Sequence, residues 1–186
     1  MSSKLPVIKG IGVDLGTTFS SIAIKLNEKE HAFVIDSFNG EKYIPSKICI
    51  KDNKPKVWQP FIDCDGDCPI IYDVKRHIGR NYSDIKHSIR NADYPYIIQS
   101  SEKDQIVYNV RGDYYSSTEL TTVILKMINK RIQEWVDKGI HDYDRLVVLT
   151  VPCYFSIKQK DETLKAGVYQ IIIYYIILTV RKCVVV

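Results

Sequence analysis

No stretch of this 186-residue chain is long and apolar enough to read as a membrane helix, which takes about 20 consecutive apolar residues. The amino terminus, MSSKLPVIKGIG, lacks an apolar core and a small-residue cleavage site, so no secretory signal is expected. Basic blocks are missing too. The 26 Lys and Arg are mixed with 22 Asp and Glu for a net charge of +4, which leaves no electrostatic footprint for nucleic acid. Five cysteines, an odd number at irregular spacing, do not make a disulfide framework. They read as free thiols in a reducing, cytoplasmic setting. Cys64 and Cys68, with Asp63, Asp65 and Asp67, fall short of the four ligands of a closed zinc site and read as an acidic surface loop. His31, His77, His87 and His141 lie far apart and support no Ser-His-Asp or Cys-His constellation. Gly10-x-Gly12 is too short for a dinucleotide fingerprint. The acceptor Asn81-Tyr82-Ser83 has no use without secretion, and Cys183 to Val186 ends on the wrong residue for a prenylation box.

What is present is a globular composition, with 45% hydrophobic and 26% charged residues. The pattern predicts an α/β protein. Val7 to Leu15 and Phe19 to Leu26 read as two strands around a break at Gly16-Thr17-Thr18. His31 to Phe38 reads as a third strand closed by Asn39-Gly40, and Lys47 to Ile50 as a fourth. The region 51–115 has weak periodicity and many turn residues, and is expected to be an inserted subdomain. A short helix near Tyr72 to Ile78 and a hairpin over Ile97 to Val110 are expected within it. Ser117 to Lys138 is the clearest helix. Ser116 and Glu119 fit a capping box, and Leu120, Val123, Ile124, Met127, Ile128 and Trp135 form one face. Gly139 is its stop signal. Arg145 to Val151 reads as a strand covered on both faces, ended by Pro152, with a helix over Gln159 to Ala166. The tail 168–186 breaks character. Its run VYQIIIYYIILTV reads as a strand, or as an aggregation-prone segment if unpaired.

The stretch GIGVDLGTTFSS carries the chemistry. A strand about to be buried holds one carboxylate, Asp14, and then breaks at a glycine and two hydroxyls. A glycine here allows a positive φ and a close approach by another group. Successive N–H groups in such a turn can form an anion nest, with Thr17 and Thr18 on its rim. Asp14 repels phosphate but can hold a hydrated Mg²⁺, which prefers hard oxygen ligands and keeps its waters. Acid and nest make joint sense if metal and phosphate arrive together. The alternative is an ordinary hairpin with Asp14 capping the turn.

GVDLGTTFSSIAI resembles the first phosphate motif of the heat shock protein 70 (DnaK-like) chaperones. FNGEKYIPSKICI is similar to their second hairpin, YDVKRHIGR to their lysine segment, and LVVLTVPCYFSIKQKDETLKAG to their strand, Pro-x-Tyr-Phe corner and helix. The resemblance covers about Ile8 to Gly167. It implies the actin-like ATPase (ribonuclease H-like) fold, first lobe only, a mixed sheet with flanking helices. It further implies that Gly16, Thr17, Thr18 and Phe19 cradle the β- and γ-phosphates of ATP or ADP. By the same resemblance Asp14 orders Mg²⁺ through water, and Lys75 and Thr17 serve hydrolysis. Pro152 would relay nucleotide state together with Lys160, which stands where the family has an arginine and cannot make a two-pronged contact. Unfolded polypeptides and co-chaperones are the partners implied; neither nucleic acid nor membrane is.

After Gly167 the resemblance stops, and the tail holds no second phosphate or adenosine motif. The division expected is therefore 1–167, a partial nucleotide-binding domain (lobe I), and 168–186, an aberrant apolar tail. Half a cleft predicts weak, Mg-dependent nucleotide contact and little or no ATPase activity. Two alternatives are a non-catalytic fragment acting by protein association, and a sugar or glycerol kinase of the same superfold. YDVKRHIGR and TVPCYF argue against the kinase.

Overall fold

The computed structural model describes residues 8–26, 31–37, 40–51, 54–58, 68–90, 94–136, 146–168 and 175–181. Two strands open the chain, β1 (Gly10–Asp14) and β2 (Phe19–Lys25), paired antiparallel from Gly10↔Lys25 to Asp14↔Ser21. Alternation places Ile11, Val13, Leu15, Ile22 and Ile24 in the core, and Gly12 and Asp14 on the opposite face. The third strand is shorter than expected. Of that stretch Phe33–Val34 (β3) pairs with β2 and the Ile35 amide donates to the Ile22 carbonyl at 2.9 Å; Phe38 and Asn39 lie outside the described residues. β4 (Ile44–Pro45) crosses the start of β2, and a buried hydrogen bond of 2.9 Å between the Ser20 and Ser46 hydroxyls pins it there.

The fourth expected strand leaves this sheet. β5 (Ile48–Lys51) pairs instead with β6 (Lys54–Val57) and β7 (Ile70–Ile71). Ile48, Cys49 and Ile50 are all buried in succession, so this strand is covered on both faces. Next come two helices, α1 (Val74–His77) and α2 (Tyr82–Arg90), and an antiparallel sheet of β8 (Ile97–Ser100), β9 (Ile106–Val110) and β10 (Asp113–Ser116). β8 and β9 are the expected hairpin; α2 was not expected.

α3 (Ser117–Val136) is the predicted long helix. Its capping box is in place. The Glu119 amide donates to Ser116 Oγ at 3.1 Å, and the Ser116 amide donates back to Glu119 Oε2 at 2.8 Å. Leu120, Ile124, Leu125, Ile128 and Ile132 are buried against the sheets, with Val123, Met127 and Trp135 packed at the margin. Lys138 and Gly139, the expected end, lie outside the described residues. β11 (Leu146–Pro152) then runs parallel to β1, so a helix crossover joins strands of one sheet. α4 (Ile157–Val168) follows, starting two residues before the expected Gln159, because Ser156 and Gln159 form a second capping box.

The apolar tail holds a strand, β12 (Tyr175–Arg181), parallel to β11 from Leu146↔Tyr175 to Pro152↔Arg181. Among the described residues the main sheet thus runs β12-β11-β1-β2-β3, with β4 attached to β2. One hydrophobic core joins β1, β2, β5, β9, α3 and β11, and so spans the main sheet and the region expected to be an insertion. No helix among the described residues is long and apolar enough to cross a membrane.

Candidate functional site

The C-terminal ends of β1 and β11 lie side by side, and the turn that leaves β1 sits above them. Parallel register sets Asp14 opposite Thr150. The Thr150 hydroxyl donates to Asp14 Oδ1 at 2.8 Å. That bond is charge-assisted and fixes the carboxylate at the mouth of the turn.

Gly16 differs from its expectation. Its φ is outside the left-handed region, which among the described glycines is occupied by Gly40, Gly79 and Gly112. What demands glycine is crowding, since a Cβ on Gly16 would lie 1.8 Å from the Phe19 carbonyl oxygen. The turn folds tightly on itself, and a second tie holds it from outside, where the Ser46 amide donates to the Thr18 carbonyl at 2.9 Å. Thr17 is half-buried and Thr18 exposed. Phe19 is exposed, with its ring 5.2 Å from that of Tyr43.

Lys75 reaches this turn from α1, where its ammonium donates to the Leu15 carbonyl. The same ammonium lies 5.9 Å from the centroid of the Phe155 ring, a cation–π distance. Thr17 and Lys75 line one cavity of about 510 Å³, with Arg76, Tyr154, Phe155 and Gln159 on its walls. Phe155 is placed there by the corner after β11, where its amide donates to the Pro152 carbonyl at 3.2 Å. Pro152 ends the strand as expected. Lys160 sits in the first turn of α4, half-exposed, its amide bonded to the Ser156 carbonyl at 3.0 Å.

The segment carrying Lys75 is held from both sides. On one side His77 is buried, and its Nδ1 is 2.7 Å from the Tyr108 hydroxyl. Burial, helped by Arg80 and Arg76 and opposed by Asp73, pushes the imidazole down to about 4, so it is neutral near pH 7. Burial also raises Tyr108 and Tyr96, which pack with Tyr94 and Tyr72 around it. On the other side Gly79 has φ +67°, and a Cβ there would lie 2.5 Å from Gln159 Cα. The loop after α1 thus lies with its backbone directly on the start of α4.

Thr150, Phe155, Gln159 and His77 were not expected at the site. His77 falls within the lysine segment itself, a position that scattered histidine counting passed over. The serine–glutamine spacing before α4 was the readable sign that a helix start stood close to the corner. Among the described residues no His, Cys, Asp and Glu cluster offers a multidentate metal site. Cys68 donates its thiol to the Ile50 carbonyl at 3.3 Å, and the acidic loop before it lies outside the described residues. The oxygens at the turn are the Asp14 carboxylate and the Thr17 and Thr18 hydroxyls, hard donors of the type a hydrated Mg²⁺ takes. Together with one ammonium they suit a metal-bound polyanion.

A family model described as Hsp70 protein matches residues 10–171. A chaperone protein DnaK of Thermus thermophilus is 28% identical over 164 residues, covering 86% of this chain and 25% of that protein. The chaperone protein HscA homolog of Acinetobacter baumannii (strain AYE) is 30% identical over 160 residues, covering 84% of this chain and 24% of that protein. The chain spans about a quarter of the length of these relatives.

Proposed function

Because the chain belongs to the Hsp70 family, and carries part of that family's actin-like ATPase fold, we propose that the turn after β1 binds the phosphates of Mg-ATP or Mg-ADP. Gly16, Thr17, Thr18 and Phe19 surround the β- and γ-phosphates. Asp14 holds the waters of Mg²⁺, which when bound neutralises phosphate charge. Lys75 supplies the protein's own positive charge, and Thr17 and Lys75 position the attacked phosphoryl group. Phosphoryl transfer asks mainly for such positioning and neutralisation. Pro152 and Lys160 are the relay from this site, and unfolded polypeptides and co-chaperones are partners of the whole protein. A reducing cytoplasmic setting goes with the reading.

The observation that carries the proposal is the bond from Lys75 to the Leu15 carbonyl. An ammonium from a distant helix is brought to a turn that already holds a carboxylate and two hydroxyls. Family membership leaves the sugar-kinase alternative without support. Tight sites bury about 70–90% of their ligand, whereas this turn and cavity form one wall. On this reading, then, residues 1–186 by themselves bind nucleotide weakly and turn it over slowly.

The test is thermal unfolding with Mg-ATP titrated to millimolar concentration. Binding to the folded state alone raises the midpoint, by the equivalent of about 1.4 kcal/mol when ligand is tenfold over Kd. Lys75→Ala is expected to remove most of that rise. No rise, or an equal rise in the variant, overturns the reading. A second reading, association with another polypeptide, is favoured by Tyr154 and Ile157, which are 75% and 78% exposed beside the cavity. Sedimentation of the chain with and without a reduced, unfolded polypeptide tests it, with no co-sedimentation as the contrary result.

A further inference from the structure

We propose that Thr150 is a positioning residue for the metal, its hydroxyl holding the Asp14 carboxylate in the orientation that seats hydrated Mg²⁺. The inference rests on the nucleotide reading above and assigns a part in it to a residue outside the turn. Thr150 belongs to the run LVVLTV, in which neighbouring Leu149 and Val151 are fully buried. Period-two alternation turns Thr150 to the other face, where Asp14 is its cross-strand partner. A valine would serve the strand as well, so the hydroxyl answers to something else. It donates to Asp14 Oδ1 at 2.8 Å.

Three features suit that bond to orientation. Threonine is β-branched, so its χ1 is stiff and the direction of the hydroxyl is preset by the strand. The acceptor is a charged oxygen, which makes the bond short and strong. A carboxylate has about four lone-pair sites, so the bond accepted at Oδ1 restrains its rotation while using one of them. Groups that orient a metal's ligands from behind commonly change metal affinity about 10–100-fold when removed.

The experiment titrates Mg²⁺ at fixed ATP and reads the half-point of the ATP-dependent rise in unfolding temperature. Thr150→Val keeps the shape and branching and removes the hydroxyl. Its Mg²⁺ half-point is expected to rise about tenfold or more, with the midpoint without nucleotide nearly unchanged. Thr150→Ser keeps the hydroxyl and is expected to restore the wild-type half-point. Thr150→Ala repeats the loss should the valine variant fold poorly. In an Asp14→Asn background, Thr150→Val is expected to add nothing, since the group it positions is gone. A valine variant with the wild-type half-point overturns the proposal, as does a serine variant impaired as much as valine, which marks a packing effect. A wild-type chain without any Mg-ATP response overturns the nucleotide reading first, and this proposal with it.

Discussion

Two segments meet at the cavity, the turn Asp14 to Phe19 and the segment Tyr72 to Arg80, and each contains a glycine that cannot carry a side chain. The reasons differ. Gly16 has an ordinary φ and is crowded by the carbonyl of Phe19, three residues on in the same turn. Gly79 has a left-handed φ and is crowded by the backbone of Gln159, a residue of another element. One constraint is local and surface-facing. The other is long-range and lies between a buried His–Tyr cluster and α4. The turn holds groups that would face a ligand, while the second segment brings the lysine to them on a scaffold anchored by the buried His77. A change at the turn or at Lys75 should therefore act mainly on binding, and a change at His77 or Gly79 behind the lysine mainly on stability.

The largest expected effect is Gly79→Ala. A left-handed alanine costs roughly 1–2 kcal/mol, and overlap with α4 backbone, which cannot swing aside like a flexible side chain, brings the total above about 3 kcal/mol. Urea unfolding measures it. Gly79→Asn sharpens the contrast, since asparagine tolerates the left-handed region. If asparagine restores wild-type stability, φ alone set the requirement, and the long-range half of the comparison fails.

An acid limb from His77 comes next. Its folded-state value is about 4, against 6.5 for a free imidazole. As pH falls below 6.5 the unfolded chain takes up the proton first. Stability from this group is therefore full above pH 6.5, drains down to pH 4, and is flat below. The loss amounts to about 3 kcal/mol. His77→Asn does not titrate and keeps a polar group near the Tyr108 hydroxyl, so it should flatten this limb in urea midpoints measured between pH 7 and 4. An unchanged limb would move the acid sensitivity elsewhere.

The smallest stability effect is expected at Gly16→Ala. Its overlap is deeper, but it is with one carbonyl three residues on and no left-handed φ adds to it, so the cost is about 1–3 kcal/mol. Its Mg-ATP response should vanish altogether. Retention of that response with full stability would break the comparison from the other side.

How much of this was legible beforehand follows the same line between local and distant causes. The capping box Ser116–Glu119, the amphipathic face of α3 and the strands flanking Gly16 rest on neighbours in sequence, and the structure contains them. α2 was not legible. Only Ile85 and Ile89 of it are buried, and its first turn is capped from another loop, by the Asp104 carboxylate accepting from the Ser83 amide at 3.0 Å. β5 read correctly as a strand, but which sheet it joined depended on β6 and β7.

Sequence alone determined the turn chemistry, an acid, a glycine and two hydroxyls in succession, because those are properties of adjacent residues. It also determined the order of motifs that marks the family. Tertiary structure alone decided that Thr150 would stand behind Asp14 and that Lys75 would arrive at the Leu15 carbonyl. It alone decided that Gly79 would lie against α4. Parallel register and helix packing set these meetings. Both depend on how a whole core closes, and no short window of residues contains that information.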